Sequence, residues 1–214
     1  LASVLKGQAP AVLLDSYHVE RHALAARNTG YARQFADSIG LFEAAPELED
    51  DSPQGEAARA VASDYLNGHV RREFNIPGVT FGGRYDGSPI IVSDGTTAPP
   101  DAANSYTPCA TPGGRPPHAW LHDGRSLFDT FHSEWTLLVL GPEQVDTSAF
   151  ENAASSMGVD LRVVHQPSSE ILALYEAPMA LIRPDQIVAW RGHDARRALA
   201  VLSQVLGRDA TVRA

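Results

Sequence analysis

A chain of 214 residues with 43% hydrophobic content can bury one large or two small cores. Its formal net charge of -9, with no Lys/Arg cluster beyond Arg71-Arg72 and Arg196-Arg197, excludes a nucleic-acid surface. The single cysteine, Cys109, excludes an internal disulfide or a CxxC pair, suits a reducing cytoplasm and reads as a small packed hydrophobe. No apolar run approaches the ~20 residues of a membrane span, and no stretch of the sequence reads as a signal peptide.

The first residues, LASVLKG, lack a methionine and read as a helix tail closed by Gly7, so a fragment is expected. Over residues 11–39 the apolar positions Val12, Leu14, Tyr17, Leu24, Tyr31, Phe35 and Ile39 predict one amphipathic helix, with Pro10 in its first turn and Gly40 at its end. Asp15 ahead of Arg21, and Glu20 ahead of Arg27, read as charge pairs along that helix. His18 and His22 stand four apart, a spacing that can bind a metal on a helix. No third ligand is evident, and Val19 stands where a zincin has Glu, so no metal site is expected.

Residues 41–51 form an acidic, proline-broken connector. A second helix is predicted over 55–74, carried by Ala58, Val61, Tyr65, Leu66 and Val70 and stopped by Asn75-Ile76-Pro77-Gly78. Residues 79–81 and 90–92 read as short strands. Gly82-Gly83 and Gly113-Gly114 lack both the G-x-G-x-x-G spacing and a following helix, so turn chemistry accounts for them better than phosphate binding.

After the Gly-, Pro- and Ser-rich stretch 93–111, a hairpin is predicted from 117–121 through Asp123-Gly124 to 125–131. His118 and His122 would then lie ~13 Å apart, too far to share a metal. Residues 135–140, WTLLVL, predict a central strand covered on both faces. A helix over 146–157, capped by Asp146 or Thr147 and closed by Gly158, leads to a buried strand over 161–164 and an irregular segment. A second hairpin joins 179–182 to 186–190 through a type I turn, Arg183-Pro184-Asp185-Gln186. A final helix opens at His193-Asp194, shows Ala195, Leu199, Leu202 and Leu206 on one stripe, and stops at Gly207.

A strand-helix-strand crossover followed by a hairpin and a helix is the thioredoxin arrangement. Its redox site would fall at 141–145, where there is no cysteine. The expected fold class is therefore α/β: a helical segment over 1–92, a linker over 93–111, and a thioredoxin-like domain without CxxC, a mixed sheet with flanking helices, over 112–214. A hydrolase reading lacks the G-x-S-x-G elbow.

Four stretches, LLDSYHVERHALAARN, RYDGSPIIVSDGT, TPGGRPPHAWLHDGRSLFDTF and LIRPDQIVAWRG, carry a family resemblance. The chain resembles the C-terminal part of the FAD-dependent aromatic-ring hydroxylases, the flavoprotein monooxygenases related to phenol hydroxylase and para-hydroxybenzoate hydroxylase, in the branch with a thioredoxin-like C-terminal domain. The resemblance implies an enzyme that reduces FAD with NADPH or NADH and places one oxygen atom on an electron-rich aromatic small molecule. It also implies that 1–92 is a helical remainder of the FAD- and substrate-binding region.

The family's G-x-G-x-x-G and Gly-Asp flavin motifs are absent from this sequence. The chain alone is expected neither to hold FAD nor to turn over, with the FAD-binding portion of the same protein as its partner. No catalytic residue carries over. The resemblance makes Tyr17, Glu20 and Arg21 anchors beside the flavin domain. Arg115, His118, Arg183, Asp185, Trp190 and Arg191 have core, turn or domain-docking roles, a buried Arg pairing with a carboxylate among them. The alternative is a cofactor-free thioredoxin-like module that binds a partner or a second copy of itself. A bare apolar face before Ser93 favours the first reading, and a self-complementary patch on the C-terminal domain favours the second.

Overall fold

Trp135, Thr136, Leu137, Leu138 and Val139 are β-formers with no charge among them, and all five are buried in β1 (Trp135–Val139). The computed structural model describes residues 1–141 and 145–209. In it β1 pairs in parallel with β2 (Leu161–His165) and antiparallel with β3 (Met179–Ile182), and β3 pairs antiparallel with β4 (Val188–Gly192). The sheet order is β2-β1-β3-β4.

Strand alternation sends Leu137 and Val139 to one face and Leu138 and Leu140 to the other. The first face packs, with Leu181 and Trp190, against α5 (Ser148–Met157) and α7 (Ala198–Val205). On the second face, Ala180, Ile182 and Val188 meet Ile171 and Tyr175 of α6 (Ser169–Tyr175). The order β1-α5-β2-α6-β3-β4-α7 is the thioredoxin-like mixed sheet with flanking helices.

The β3–β4 turn follows from its residues. Pro184 supplies the second turn position, the Gln186 amide donates to the Arg183 carbonyl at 2.9 Å, and Gln186 itself takes a left-handed φ of 60°. That conformation delays β4 to Val188, two residues later than predicted, and Ala189 is the extra residue of a bulge. Beyond β4 no fifth strand joins the sheet among the described residues. The Val92 amide donates to the Ala189 carbonyl, while Gly113 and Gly114 exchange bonds with Val188, so loop backbone covers that edge.

Several expectations need correction. Residues 79–81 are helical, within α4 (Pro77–Phe81), because Pro77 starts a helical turn and Gly82 ends it. Residues 90–92 form turns, and the 117–131 hairpin is reduced to a single bridge, Trp120 to Ser126, before a 3-10 turn capped by Ser126. The segment predicted to be irregular contains α6, whose N-cap Ser168 accepts from the Ile171 amide. As an edge strand, β2 is only partly buried. The last helix begins as a 3-10 turn and turns Ala198, Val201, Leu202 and Val205 inward, leaving Leu199 exposed. The proposed site at 141–145 includes 142–144, which lie outside the described residues.

The chain divides into two units, Leu1–Ala23 with Gly83–Pro100 and Thr107–Ala214, and Leu24–Gly82 with Asp101–Tyr106. In the first, α1 (Ala2–Leu5) ends at Gly7, whose φ is 71°. The helix α2 (Asp15–Gly40) contributes its residues up to Ala23 to the first unit and the remainder to the second. The second unit adds α3 (Pro53–Phe74), N-capped by Ser52, and α4. The predicted apolar stripes are only partly covered: Val12, Leu14, Tyr17 and Ile39 on the first helical stretch, and Val61 and Val70 on α3, are exposed, while Leu24, Tyr31 and Phe35, and Ala58, Tyr65 and Leu66, are half-buried. The inward positions of α2 are Ser16 and Glu20. In the second unit polar bonds join the helices, with the Tyr65 hydroxyl and the His69 ring both bonded to Ser38.

This placement sets a contrast in stability. Leu181→Ala opens a cavity at a fully buried β3 position and should cost about 2–5 kcal/mol. Leu199→Ala, on the exposed side of α7, should stay within about 0.5 kcal/mol of the parent. Urea denaturation of both variants measures the difference.

Candidate functional site

Glu20 carries a charge at a position only 5% exposed, so its carboxylate must find donors. Its Oε1 accepts from Arg183 Nη1 at 2.6 Å and from the Ser88 hydroxyl at 2.7 Å, and its Oε2 accepts from Arg183 Nη2 at 2.9 Å. The same guanidinium donates to both oxygens of Asp185, two residues on in its own turn, at 3.0 and 2.8 Å. Its carbon lies 5.3 Å from the centre of the Tyr85 ring, and the Tyr85 hydroxyl accepts from Arg21 at 3.3 Å. Thus Glu20, Arg21, Arg183 and Asp185 meet in one cluster, with Tyr85 and Ser88 as members the sequence did not single out. Burial works to lower the Arg183 pKa, but the Glu20 hydrogen bonds and the Asp185 and Glu20 charges outweigh it and hold the cation above its ordinary value. Both carboxylates are engaged by the guanidinium, so the cluster acts as a neutralised clasp rather than an acid–base pair.

The pairs expected along the helix do not form. Six and seven residues apart, such side chains are separated by about 9–10.5 Å along a helix axis. Glu20 goes to Arg183 instead, and Arg27 goes to Asp101, with bonds of 2.6–3.0 Å and a further one to the Gly78 carbonyl at 2.8 Å.

Arg191 is the second buried cation, 4% exposed. Its Nε donates to Asp94 at 2.6 Å, Nη1 to the Tyr175 carbonyl at 2.8 Å and to Glu176 at 3.0 Å, and Nη2 to the Thr96 hydroxyl at 3.1 Å. Asp94 also accepts from the Thr96 amide and hydroxyl. Burial pushes the Asp94 carboxyl up, yet its bonds to Thr96 and Arg191 prevail and hold it below the usual carboxylate range. Residues 93–100 and 107–111 count with the first unit, and 101–106 with the second.

The other candidates stand apart. Arg115 lies over the Phe128 ring at 4.5 Å, and His118 bonds the Ser126 hydroxyl at 2.9 Å with Trp120 edge-on. Trp190 is buried against Phe150, whereas Tyr17 is exposed. Arg84, not anticipated, donates to Asp86 and to the Pro112 carbonyl. Its RYDGSP context was the available signal, since a turn of Gly, Pro and charges needs a donor to tie its carbonyls down.

A flavin dinucleotide needs a strand–glycine–helix cradle with donors for its pyrophosphate. Among the described residues no G-x-G-x-x-G follows a strand. A groove of about 280 Å³ in the second unit is lined by Phe42, Glu43, Ala45, Ala57, Ala58, Val61 and Ala62 and offers no cationic side chain. These residues do not fit FAD. No helix among the described residues is long and apolar enough to cross a membrane.

Comparison with known proteins agrees with the fold and with the motifs. Residues 110–209 match the model of the aromatic-ring hydroxylase C-terminal domain. The FAD-dependent monooxygenase opdD of Penicillium oxalicum is 29% identical over 97% of this chain and 42% of its own length. Phenol 2-monooxygenase of a Pseudomonas species is 29% identical over 89% of this chain and 37% of its own length. A structure of RebC soaked with chromopyrrolic acid, with bound 7-carboxy-K252c, superposes with a TM-score of 0.87 at 35% identity, covering 96% of this chain and 39% of that one. The chain thus spans about two-fifths of the length of these relatives.

Glu20→Ala strands the Arg183 charge against Asp185 alone and should destabilise the protein by about 3–5 kcal/mol, with part of the loss recovered in the Glu20→Ala/Arg183→Ala double variant. A double-mutant cycle in urea measures the coupling. Because the folded Asp94 carboxyl sits below its unfolded value, its contribution is complete above the unfolded pKa and is lost as pH falls through the folded one. Asp94→Asn should therefore lower stability at pH 7 and flatten its fall toward pH ~3 in denaturation measured across that range.

Proposed function

We propose that this chain, whose residues 110–209 match the aromatic-ring hydroxylase C-terminal domain, is the C-terminal portion of an FAD- and NAD(P)H-dependent monooxygenase acting on an aromatic small molecule. In this reading 1–92 is the helical remainder of the FAD- and substrate-binding region, 93–111 its link, and 112–214 the thioredoxin-like domain. The reaction takes an aromatic C–H, dioxygen, NAD(P)H and a proton to the phenol, NAD(P)⁺ and water. When bound, the flavin supplies the electron transfer and oxygen activation, through residues outside this chain. The single cysteine supports a cytoplasmic setting.

One observation carries the proposal: each of the two units leaves large apolar side chains bare before Ser93. In the first unit Leu5 is 78% exposed and Tyr17 70%, with Val12, Leu14 and Val19 exposed to a lesser degree, and in the second unit Phe74 is 74% exposed. Solvent-facing apolar side chains at that density are typical of a surface that packs on more protein. The sheet domain differs, with both faces of β1 and β3 sealed. This distribution favours a piece of a larger enzyme over a self-sufficient thioredoxin-like binding module.

The share of the present residues is positional. The Glu20–Arg183 clasp fixes the start of α2 against the β3–β4 turn, and Arg191 with Asp94 pins the 93–96 turn beside β4. Both free the larger enzyme from having to order these elements on its own.

Incubated with FAD and desalted, this chain should show no bound flavin spectrum. A longer polypeptide that includes these residues should purify yellow and oxidise NADPH or NADH with hydroxylation of an added phenol. Stoichiometric flavin on the chain alone, or a colourless longer polypeptide, would overturn the assignment.

A further inference from the structure

The outer face of α2 carries a feature that the flavin chemistry does not use. His18 and His22 stand four residues apart on a regular helix, so their side chains point along the same face, one turn apart. Their ring centroids are 5.3 Å apart with planes tilted by 32°, and both residues are exposed. Neither imidazole has a hydrogen bond or ion-pair partner among the described residues. Each lies two positions from Glu20, roughly 160° around the helix, so the pair faces away from the clasp.

We propose that His18 and His22 form a two-point chelate for a borderline divalent cation, Cu²⁺ ahead of Ni²⁺ and Zn²⁺. Metal–imidazole bonds of about 2.0–2.1 Å bring two ligand nitrogens to about 3 Å of each other. Nitrogens on the perimeters of rings this close reach that separation by small side-chain rotations. Imidazole suits these three metals, and their affinities follow the Irving–Williams order. Water fills the remaining positions. The carboxylate of Asp15, three residues before His18, adds negative charge on the same side, and a chain of net charge -9 attracts cations in general. Val19 stands where a helical zinc hydrolase places its glutamate, so the site binds and does not hydrolyse. The earlier objection, a missing third ligand, excludes a closed structural site but not a chelate completed by solvent.

The test is calorimetric titration of the full chain with Cu²⁺ and with Ni²⁺ at neutral pH. A single dominant site is expected, lost in His18→Ala and in His22→Ala and kept in His122→Ala. Circular dichroism should be unchanged in all three, since the two helical histidines are exposed and bear no other contact. Histidine ring resonances in NMR identify the ligands directly. Metal binding undiminished in the His18→Ala/His22→Ala double variant, or ring signals of other histidines shifting instead, would overturn the proposal. Neither result bears on whether the larger protein binds flavin.

Discussion

A carboxylate and a guanidinium that both leave water must meet, and the meeting of Glu20 with Arg183 determines where the start of α2 runs. Hydrogen bonds of 2.6 and 2.9 Å, with Ser88 on the same carboxylate and Asp185 on the same guanidinium, leave neither charge unpaired. A buried pair of this kind is weak evidence for net stability, because desolvation offsets much of the attraction. What it contributes is specificity, since losing Glu20 leaves Arg183 only the more exposed Asp185, and losing Arg183 leaves Glu20 only the Ser88 hydroxyl. The residues join parts of the chain 163 positions apart, with Tyr85 and Ser88 drawn in from between.

Arg191 repeats the principle on the neighbouring strand. It sits on β4, whose opposite edge is covered by loop backbone rather than by another strand, and its donors reach Asp94, Thr96, Glu176 and the end of α6. The glycine and serine loops of the middle of the chain are therefore anchored by charge and by edge hydrogen bonds. Against this, the sheet combines its backbone ladders with apolar packing on both faces, Leu137, Leu138, Leu181 and Ile182 being wholly buried.

The two kinds of surface fit a chain whose residues 110–209 match the aromatic-ring hydroxylase C-terminal domain and which carries no flavin cradle among its described residues. The thioredoxin-like sheet seals both of its faces with its own helices, and no cysteine occurs at the usual redox position. The helices before it do not seal theirs. Val12, Tyr17, Val61 and Phe74 are exposed on elements whose spacing looks amphipathic, and the two fully buried positions of α2 are Ser16 and Glu20.

Much was legible from local signals. The run Trp135 to Leu140 announced a two-sided strand, Pro184 and Asp185 announced the turn, Gly158 and Gly207 marked helix ends, and four motifs carried the family. α6 was missed although Ser168 ahead of Glu170 and Leu172 is a helix-start pattern, because a short helix between strands competes with an irregular reading. Residues 79–81 misled because β-branched content outweighed Pro77. The amino-acid sequence by itself determined the type and order of the sheet elements, since periodicity, turn residues and caps act within a few residues of one another. Only the tertiary structure decided which side of α2 is inward and which carboxylate each arginine takes, because a buried charge chooses its partner through space, among groups that sequence distance does not rank.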